Sequence, residues 1–389
     1  MDYQQKWIII ADHDGGGQGK VYRVCKKNEY LEVQGGVRNA LERFSRSVTY
    51  GAQQNSEDHK ELRKWLPKML QMEDPANQFA LKVLHKTQDA RNPKLAKERI
   101  KREIDVMSRN LHPNLIELVD SDSDSEWFVS KFYPGGTLAK KPDEFKGDFL
   151  SVLKAARPII EGVAILHKEG YVHRDIKPAN IFVGAKDELV LGDFGLIFFE
   201  DVQHTRVSET YENVGSRDWM PGWAMGMRIE DVKPTFDVFS LGKVIWSMVS
   251  GKPILQLWYF DRDRFDVEKM FPNAANIQWA NPLFKKCIVE DEKDCLPNAG
   301  ELLNEVDKTI TAIESDADRI DLAVKRKCKV CGIGEYKMIS DENDEDITKT
   351  YNFGIHPTAN WRIKIFTCTN CGNVQMFSYE GKLPAAWQK

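Results

Sequence analysis

The sequence lacks the features that mark membrane and exported proteins. Its 389 residues contain no run of about 18 apolar side chains, so we predict no membrane span. The first ten residues, MDYQQKWIII, have neither the basic segment nor the long apolar core of a signal peptide. We therefore expect a cytoplasmic protein with no membrane partner.

A large excess of one charge is also missing. The 55 basic and 59 acidic residues leave a net charge of −4, which indicates no global attraction to nucleic acid or to an anionic membrane. The hydrophobic fraction of 42% is ordinary for a protein with a sizeable core. The length allows two or three domains, and no internal repeat is present.

Cysteine is scarce and unevenly placed. The chain has seven cysteines, and four of them form two C-x-x-C pairs, Cys328 with Cys331 and Cys368 with Cys371. An odd number of cysteines, mostly clustered, indicates metal binding together with reduced thiols instead of a disulfide framework.

Strand-like patterns come first along the chain and helical patterns come later. The strand-like segments are 7–10 and 21–24, on either side of a glycine-rich turn, and then 79–84, 115–120 and 126–132. From about residue 146 the pattern is helical. Segment 149–170 is amphipathic, and segment 236–251 is apolar nearly all round, which predicts a buried helix. This order predicts two lobes that join near residues 131–137.

A long insertion, about residues 27–77, separates the second strand-like segment from the third. Its apolar residues recur at three- and four-residue intervals, which predicts amphipathic helices. We expect Trp65, Leu66, Met69 and Leu70 to form its buried face. Partner binding, dimerisation and simple surface decoration remain open as its role.

The segment HRDIKPAN, residues 173–180, carries the strongest chemical signal. Asp175 could accept a proton from a hydroxyl, Lys177 could neutralise a phosphoryl group in transfer, and Asn180 could ligate a metal ion. Further on, Asp193 precedes a glycine in LGDFGL and suits Mg²⁺. Two carboxylates and an amide around a divalent ion are what phosphoryl transfer needs, since its catalysis is mostly positioning and charge neutralisation.

Two earlier features fit the same chemistry. The turn DGGGQGKVY could let backbone N–H groups approach phosphate oxygens. Taken by itself, the same motif is explained equally well as a simple hairpin turn. Lys82 lies among apolar residues in a strand-like segment, where a lysine either extends to solvent or pairs with a fixed partner. Glu103, on the following charged helix at about 93–110, could be that partner.

Taken in order, these motifs resemble those of a eukaryotic-type (Hanks-type) Ser/Thr protein kinase. The matching features are the glycine-rich turn, ALKVL, Glu103, HPN, HRDIKPAN, DFG and DVFSLG. The resemblance covers about residues 7–305 and implies an α+β, bilobal protein-kinase fold. A β-rich small lobe would span 1–132 and an α-rich large lobe 133–305, followed by a linking helix at 306–325.

The resemblance also implies a role for each motif residue. ATP would be bound by the following positions, the last two through their backbone: Gly16, Gly17, Gly19, Val21, Lys82, Lys131 and Tyr133. Ser130 would be the gatekeeper beside them. Lys82 would pair with Glu103, Asp175 would be the catalytic base and Lys177 would steady the γ-phosphate. Asn180 and Asp193 would hold Mg²⁺, and His173 and Asp237 would be structural.

The sequence DIKPAN favours a particular substrate class. Lys177 is typical of kinases that act on Ser and Thr. Tyrosine kinases that resemble this sequence usually carry Ala or Arg in that region. We expect transfer of the γ-phosphate of ATP to protein hydroxyls, including the protein's own. The alternative is an ATP-binding pseudokinase that acts as a scaffold. Small-molecule phosphotransferases of a related fold usually lack the Arg and Lys of HRDIK.

The sequence departs from the family pattern at several positions. Asp14 replaces the first glycine of the glycine-rich loop. Gly222 follows Pro221 where the family has Glu, and Cys295 aligns with its partner Arg, so both members of a buried ion pair are absent. Because losing both can be neutral, we expect a repacked, working lobe. Phosphate acceptors for Arg174 would be Thr205, Ser208 and Thr210.

The two cysteine pairs define a last module, residues 326–389. Gly332 and Gly372 follow the pairs and allow tight turns, and four thiolates suit tetrahedral Zn²⁺. The module resembles a zinc ribbon with NWRIKIFTC and NVQMFSY as strands; a redox dithiol or an iron–sulfur site are the alternatives. We expect structural or protein-docking use, with nucleic-acid binding as the less favoured alternative.

Overall fold

The computed structural model describes twelve parts of the chain. They are residues 2–16, 19–49, 56–84, 93–124, 126–196, 198–199, 218–225, 231–272, 274–323, 330, 336–338 and 362–379. The chain forms two compact units, residues 1–308 and 309–389. None of the helices in the described parts is long and apolar enough to cross a membrane.

The N-terminal lobe is built on a five-stranded antiparallel sheet. Its strands are β1 (Trp7–Gly16), β2 (Gly19–Lys26), β3 (Phe79–Leu84), β4 (Leu118–Ser121) and β5 (Trp127–Lys131), in the order β1-β2-β3-β5-β4. Val24, Leu81 and Val129 are fully buried on one side of it. A short helix α1 (Tyr3–Lys6) precedes the sheet, and the Trp127 indole N–H donates to the Asp2 carboxylate at 2.9 Å.

The insertion forms two helices, α2 (Lys27–Thr49) and α3 (Ser56–Glu73). They pack closely, because a Cβ added at Gly36 of α2 would lie 2.3 Å from the Trp65 ring of α3. The predicted buried face was wrong in part, since Leu66 and Leu70 are 42% and 66% exposed. The half-buried stripe of α3 runs instead along Leu62, Trp65, Met69 and Met72.

The C-terminal lobe of the first unit is mainly helical. After α4 (Pro93–Ser108), which contacts the sheet, come α5 (Phe149–Lys168), α6 (Thr235–Ser250), α7 (Val267–Met270) and α8 (Ala280–Cys287). Helix α9 (Ala299–Ala323) begins in the first unit and continues past its last residue, Lys308. Every residue of α6 is buried, as its apolar pattern predicts. Helix α9 begins before the predicted linking helix, at Ala299.

Four short strands carry the loops of the site. They are β6 (Tyr171–Val172), β7 (Ile181–Val183), β8 (Leu189–Leu191) and β9 (Phe198–Phe199), and they pair antiparallel as β6 with β9 and β7 with β8. The segment between the lobes is tied to β7, because the Gly135 N–H donates to the Val183 carbonyl at 3.0 Å. A Cβ at Gly135 would lie 2.7 Å from that carbonyl oxygen, so only glycine fits there.

The second unit contains a three-stranded antiparallel sheet. Its strands are β10 (Tyr336–Met338), β11 (Arg362–Cys368) and β12 (Val374–Tyr379), with β11 in the centre. Two of these strands, β11 and β12, fall where the sequence predicts strands. Tyr336 is paired with Cys368, so β10 runs beside the second cysteine pair.

Candidate functional site

The loop between β6 and β7 gathers two polar side chains, Lys177 and Asn180, around the carboxylate of Asp175. The Lys177 ammonium donates to both carboxylate oxygens of Asp175, at 2.8 and 2.7 Å. The Asn180 side-chain amide donates to the same carboxylate at 2.9 Å and to the Asp175 carbonyl at 2.8 Å. Burial raises the pKa of Asp175, and the attraction of Lys177 only partly offsets this. The carboxylate is therefore oriented and more basic than an exposed aspartate.

The same loop is anchored to helix α6 through Asp237, which is fully buried. Its carboxylate accepts the backbone N–H groups of His173 at 2.7 Å and Arg174 at 2.8 Å, and it pairs with the His167 ring at 3.0 Å. Burial opposes the charged form of Asp237, but these hydrogen bonds and charges outweigh burial and lower its pKa. Asp237 thus fixes the backbone from which Asp175 projects, as the resemblance implies.

A second group of charges lies between the lobes. The Lys82 ammonium, on β3, lies 2.7 Å from the Glu103 carboxylate on α4 and 3.6 Å from the Asp193 carboxylate after β8. Burial alone would lower the pKa of Lys82, but the two carboxylates outweigh it and raise that pKa. Lys82 is therefore a fixed cation, and Glu103 is its partner as the sequence suggests.

Asp193 is held in an uncommon backbone conformation, with φ of 60°. A positive φ costs a non-glycine residue free energy, and such residues concentrate at functional sites. Burial would raise the pKa of Asp193, but Lys82, His173 and Lys177 outweigh it and lower the pKa. Asp193 therefore stays a carboxylate, the state in which it can ligate a cation.

The side chains of Asp193, Asn180 and Lys82 fit a magnesium–nucleotide complex. Mg²⁺ is typically bound by one or two carboxylates together with phosphate oxygens. Asp193 supplies a charged carboxylate, and Asn180 uses its amide nitrogen on Asp175, so its amide oxygen is the atom suited to a cation. Lys82 supplies a fixed positive charge for phosphate oxygens.

The glycine-rich segment connects β1 to β2, and β2 is the direct neighbour of β3, the strand that carries Lys82. Gly16 at the end of β1 pairs with Gly19 at the start of β2, and Val21 pairs with Lys82 on the neighbouring strand. Because paired residues of an antiparallel sheet place their side chains on the same face, Val21 and Lys82 share one side. Gly17 lies outside the described residues.

The segment that joins the lobes contains the predicted adenine contacts. Lys131 ends β5, and its backbone N–H donates to the Glu117 carbonyl at 3.3 Å. The Tyr133 carbonyl accepts the Gly136 N–H at 3.2 Å. Ser130 is 3% exposed beside them, as a residue inside the cleft would be.

Sequence reasoning missed Phe182. Its ring stacks on the Tyr133 ring at 5.7 Å and covers Gly192, where an added Cβ would lie 2.6 Å from the Phe182 ring. Phe182 thus spans the gap between the joining segment and the residue before Asp193. Its only sequence signal is an aromatic side chain two positions after Asn180, which does not reveal these contacts.

The C-terminal lobe has repacked where the family ion pair is absent. A Cβ at Gly222 would lie 3.1 Å from the Trp258 ring, so this ring occupies the space that a larger side chain would need. Cys295 is buried, and its thiol lies 3.7 Å from the Thr235 carbonyl. Burial raises the pKa of the Cys295 thiol to about 12. An aromatic ring and a neutral thiol thus stand where other members of the resembled family carry two charges.

The second cysteine pair forms a tight turn after β11. The backbone N–H groups of Asn370 and Cys371 point at the Cys368 sulfur, at 3.4 and 3.5 Å. Gly372 has φ of 70°, the left-handed conformation that glycine adopts without strain. Within the described ranges, no three His, Cys, Asp or Glu side chains are grouped to hold a metal ion.

Several predicted residues lie outside the described residues. They are Cys328 and Cys331 of the first cysteine pair, Gly332 after it, and the phosphate acceptors Thr205, Ser208 and Thr210. Their predicted roles stay predictions.

Comparison with known proteins identifies the family of the chain. The chain belongs to the protein kinase family, because the family model described as "Protein kinase domain" matches residues 68–304, more than half of the chain. The family predicted from the motifs is confirmed. The match starts within α3, so the insertion separates the glycine-rich strands from the matched part.

Similar curated proteins carry kinase names. A probable serine/threonine-protein kinase of Dictyostelium discoideum is 29% identical over 178 residues, 44% of this chain and 18% of that protein. Aurora kinase A-A of Xenopus laevis is 28% identical over 45% of this chain and 42% of its own length. A probable serine/threonine-protein kinase of Clostridium acetobutylicum is 27% identical over 54% and 32%. The matched part spans less than two thirds of each of these relatives.

Proposed function

We propose that the protein is a Ser/Thr protein kinase that transfers the γ-phosphate of ATP to protein hydroxyls, its own included. The observation that carries this proposal is the convergence of Lys82, Asp175, Asn180 and Asp193. Three segments of the chain supply them, namely β3, the loop between β6 and β7, and the residues after β8, and the contacts that hold them are 2.7–3.6 Å long. A pseudokinase, which transfers no phosphate, would not need to hold a fixed cation, a basic carboxylate and a cation-ligating carboxylate close together.

Each side chain has a definite task in this proposal. Mg-ATP, when bound, supplies the phosphoryl group and part of the charge that neutralises it. Asp175 accepts the proton of the substrate hydroxyl, since burial has raised its pKa and Lys177 fixes its orientation. Lys82 holds phosphate oxygens and is itself held by Glu103. Asp193 and Asn180 offer oxygens to Mg²⁺.

The choice of Ser and Thr rests on Lys177 and on the relatives. Lys177 lies within hydrogen-bonding distance of both Asp175 oxygens, so its charge is fixed beside the point where the hydroxyl would react. The similar proteins from Dictyostelium and Clostridium are named as Ser/Thr kinases.

The test compares two aspartate variants of the full chain with labelled ATP and a generic protein substrate. We expect phosphate transfer by the natural protein and a loss of roughly 10²–10⁴-fold in Asp175→Ala, the usual contribution of a general base. Asp263→Ala is the matched control, because Asp263 is 92% exposed in the same lobe. Nucleotide binding with no transfer by the natural protein would favour the pseudokinase alternative.

For the second unit we propose a zinc ribbon. Support comes from the turn at Cys368 and Cys371, whose backbone N–H groups face sulfur, and from the three-stranded sheet around it. Cys328 and Cys331 would complete the four thiolates. Elemental analysis of the purified chain should give one zinc per molecule, with loss in Cys368→Ser but not in the buried control Cys25→Ser. A metal-free natural chain would reject the proposal.

Docking of a partner to the ribbon or to the insertion at 27–77, and a cytoplasmic location, stay predictions. Pull-down with the full chain and with a chain in which Leu66 and Leu70 are changed to Ser tests the insertion, since both side chains are exposed.

A further inference from the structure

A cavity of about 300 Å³ lies where the insertion meets the sheet of the N-terminal lobe. Helix α2 and the last turns of α3 form two of its walls, and the end of β2 and the start of β3 contribute the others that are described. None of these described wall residues belongs to the proposed nucleotide site. Binding sites for small molecules begin at roughly this volume, so the space suits a compact ligand.

The end of α3 is fixed to the sheet by side chains at the cavity. The Met72 carbonyl accepts the Gln78 side-chain amide at 3.1 Å and, more weakly, the Cys25 thiol at 4.0 Å. The Asn77 side-chain amide donates to the Gln71 carbonyl at 2.9 Å. These donors satisfy carbonyls that the last turn of a helix leaves unpaired. The walls are therefore in place before a ligand binds, and little ordering opposes binding.

The most buried walls of the cavity are apolar. Cys25 and Val33 are 3% and 7% exposed, and Met72 and Phe79 are half-buried. The Phe79 ring is held edge-on against the Trp7 ring, with the ring centres 5.1 Å apart. These walls suit an apolar group about as large as a leucine side chain.

Charged side chains of opposite sign line the two helical walls. The exposed residues Glu29 and Glu32 belong to α2, and the exposed Lys68 belongs to α3. Glu29 pairs with Lys26 at 3.4 Å, and the Lys68 ammonium lies 4.9 Å from the centre of the Trp65 ring. In the described parts of the chain, neither Glu32 nor Lys68 has an ion-pair partner. The complements that these walls lack are a cation at Glu32 and an anion at Lys68.

A free α-amino acid carries both of these charges beside an apolar group. Its ammonium can donate to Glu32 and its carboxylate can accept from Lys68, and both would be charge-assisted hydrogen bonds. A simple amine or a simple carboxylate leaves one of the two wall charges unused. A polyanion such as a nucleotide would meet two glutamates, Glu29 and Glu32, at the cavity.

Gln78 joins the cavity to the segment between the lobes. Its side chain binds the end of α3, and its carbonyl accepts the Phe132 N–H at 3.3 Å. Its neighbour Phe79 lines the cavity and pairs with Lys131 in the sheet. Lys131 and Tyr133 are the predicted adenine contacts on either side of Phe132. The cavity and the nucleotide site therefore share one short stretch of backbone.

We propose that this cavity is a regulatory site for a free α-amino acid with an apolar side chain. The ammonium of the ligand binds Glu32 and its carboxylate binds Lys68. Its side chain packs on Val33 and Phe79. Binding holds the backbone at Gln78 and Phe79 in place and so tightens nucleotide binding, because ordering one site lowers the cost of ordering the other. This last step alone rests on the nucleotide binding proposed above.

The test is calorimetric titration of the full chain, without nucleotide, with L-leucine as the probe. We expect L-leucine to bind, and 3-methylbutan-1-amine and 4-methylpentanoate to bind about tenfold more weakly, because each carries the same apolar group with only one of the two charges. Glycine, which lacks the apolar group, should also bind about tenfold more weakly. No binding of L-leucine, L-methionine or L-phenylalanine up to their solubility limits would overturn the proposal, and so would equal binding of leucine and the two analogues.

Variants of the two charged walls locate the site. Lys68→Met should weaken L-leucine binding about tenfold, whereas Lys64→Met should not. Both ammonium groups lie over the Trp65 ring, at 4.9 and 4.8 Å from its centre, but of the two only Lys68 lines the cavity. Glu32→Gln should weaken binding similarly, and Glu42→Gln, at an exposed position of the same helix, is its control.

The analogues separate lost charge from a disturbed fold. Glu32→Gln should bind leucine and 4-methylpentanoate equally well, and Lys68→Met should bind leucine and 3-methylbutan-1-amine equally well. Variants that keep the natural preference for leucine would overturn the assignment of the two charges. A fold that is merely disturbed would weaken all three ligands alike, and this result would also count against the assignment.

The coupling is measured with Mg-ADP, which phosphate transfer does not consume. Saturating L-leucine should tighten Mg-ADP binding roughly fivefold in the natural chain and have no such effect in Lys68→Met. An unchanged affinity in a chain that binds both ligands would overturn the regulatory step. A chain that binds L-leucine but no nucleotide would overturn the proposed kinase activity together with the coupling and leave the amino-acid site standing.

Discussion

Helix α6 carries a buried lysine whose removal should change how stability depends on pH. Lys243 is 1% exposed, donates to the Asp218 carbonyl, and lies 5.2 Å from the centre of the Phe239 ring. Burial lowers its pKa from 10.5 to about 8, against a smaller opposing effect of Asp218. At one pKa unit per 1.36 kcal/mol, this fall corresponds to roughly 3 kcal/mol.

The sign follows from proton counting. Below pH 8 the lysine is charged in both the folded and the unfolded chain, and its burial costs stability in full. Between about pH 8 and 10.5 the unfolded chain keeps a proton that the folded chain has released. The free energy of unfolding therefore rises with pH through this window. Lys243→Met fills the same space without a titrating group and should lose that rise.

The assay is urea unfolding of the natural chain and of Lys243→Met at pH 7, 8, 9 and 10. Other groups titrate in both proteins and cancel in the difference between their free energies of unfolding. We expect this difference to move by roughly 2–3 kcal/mol in favour of the natural chain between pH 7 and pH 10. Ser240→Ala is the control: it removes the neighbouring anchor of Trp219 and should cost about 1 kcal/mol at every pH. A pH-independent difference for Lys243→Met would refute the reasoning.

Three further predictions concern other parts of the molecule. Gly36→Ala should destabilise the chain by roughly 1–3 kcal/mol, because the new Cβ meets the Trp65 ring, whereas Gly35→Ala, with nothing within 4 Å, should stabilise it by about 0.5–1 kcal/mol; equal effects in thermal unfolding would contradict the close packing of α2 and α3. The rate of phosphate transfer should rise with pH through an inflection above 3.8, because burial raises the pKa of Asp175 and its carboxylate must be unprotonated to act; an inflection at or below 3.8 in the pH–rate profile would count against this role. After incubation with Mg-ATP, mass spectrometry should find phosphate on Thr205, Ser208 or Thr210, the predicted acceptors that would pair with Arg174. An active enzyme with no phosphate on these three residues would exclude them as those acceptors.

The chemistry of the site could be read from the sequence because its motifs are local. Asp175, Lys177 and Asn180 lie within six residues, and their spacing alone predicts that they meet. The burial of α6 could be predicted for a similar reason, since its apolar residues leave no polar face. Pairing of Lys82 with Glu103 needed the order of the family motifs as well.

The failures come from contacts between distant segments. Helix α3 has two overlapping apolar stripes, and the fit of Trp65 against Gly36 decides which of them is buried. Phe182 gains its place from Tyr133 and Gly192, which the sequence does not bring near it. The ring of Trp258 over Gly222 likewise follows only from the packed lobe. In each case the deciding quantity is a tertiary distance with no local sequence signal.

The most direct measurement of the central claim is phosphate transfer from labelled ATP by the full chain and by Asp193→Asn. This substitution keeps the size of the side chain but removes the charge that lies 3.6 Å from Lys82 and is suited to Mg²⁺. We predict clear transfer by the natural chain and a loss of at least a hundredfold in the variant. Equal transfer by the two proteins would contradict the account, because the cleft charges would then have no part in the reaction.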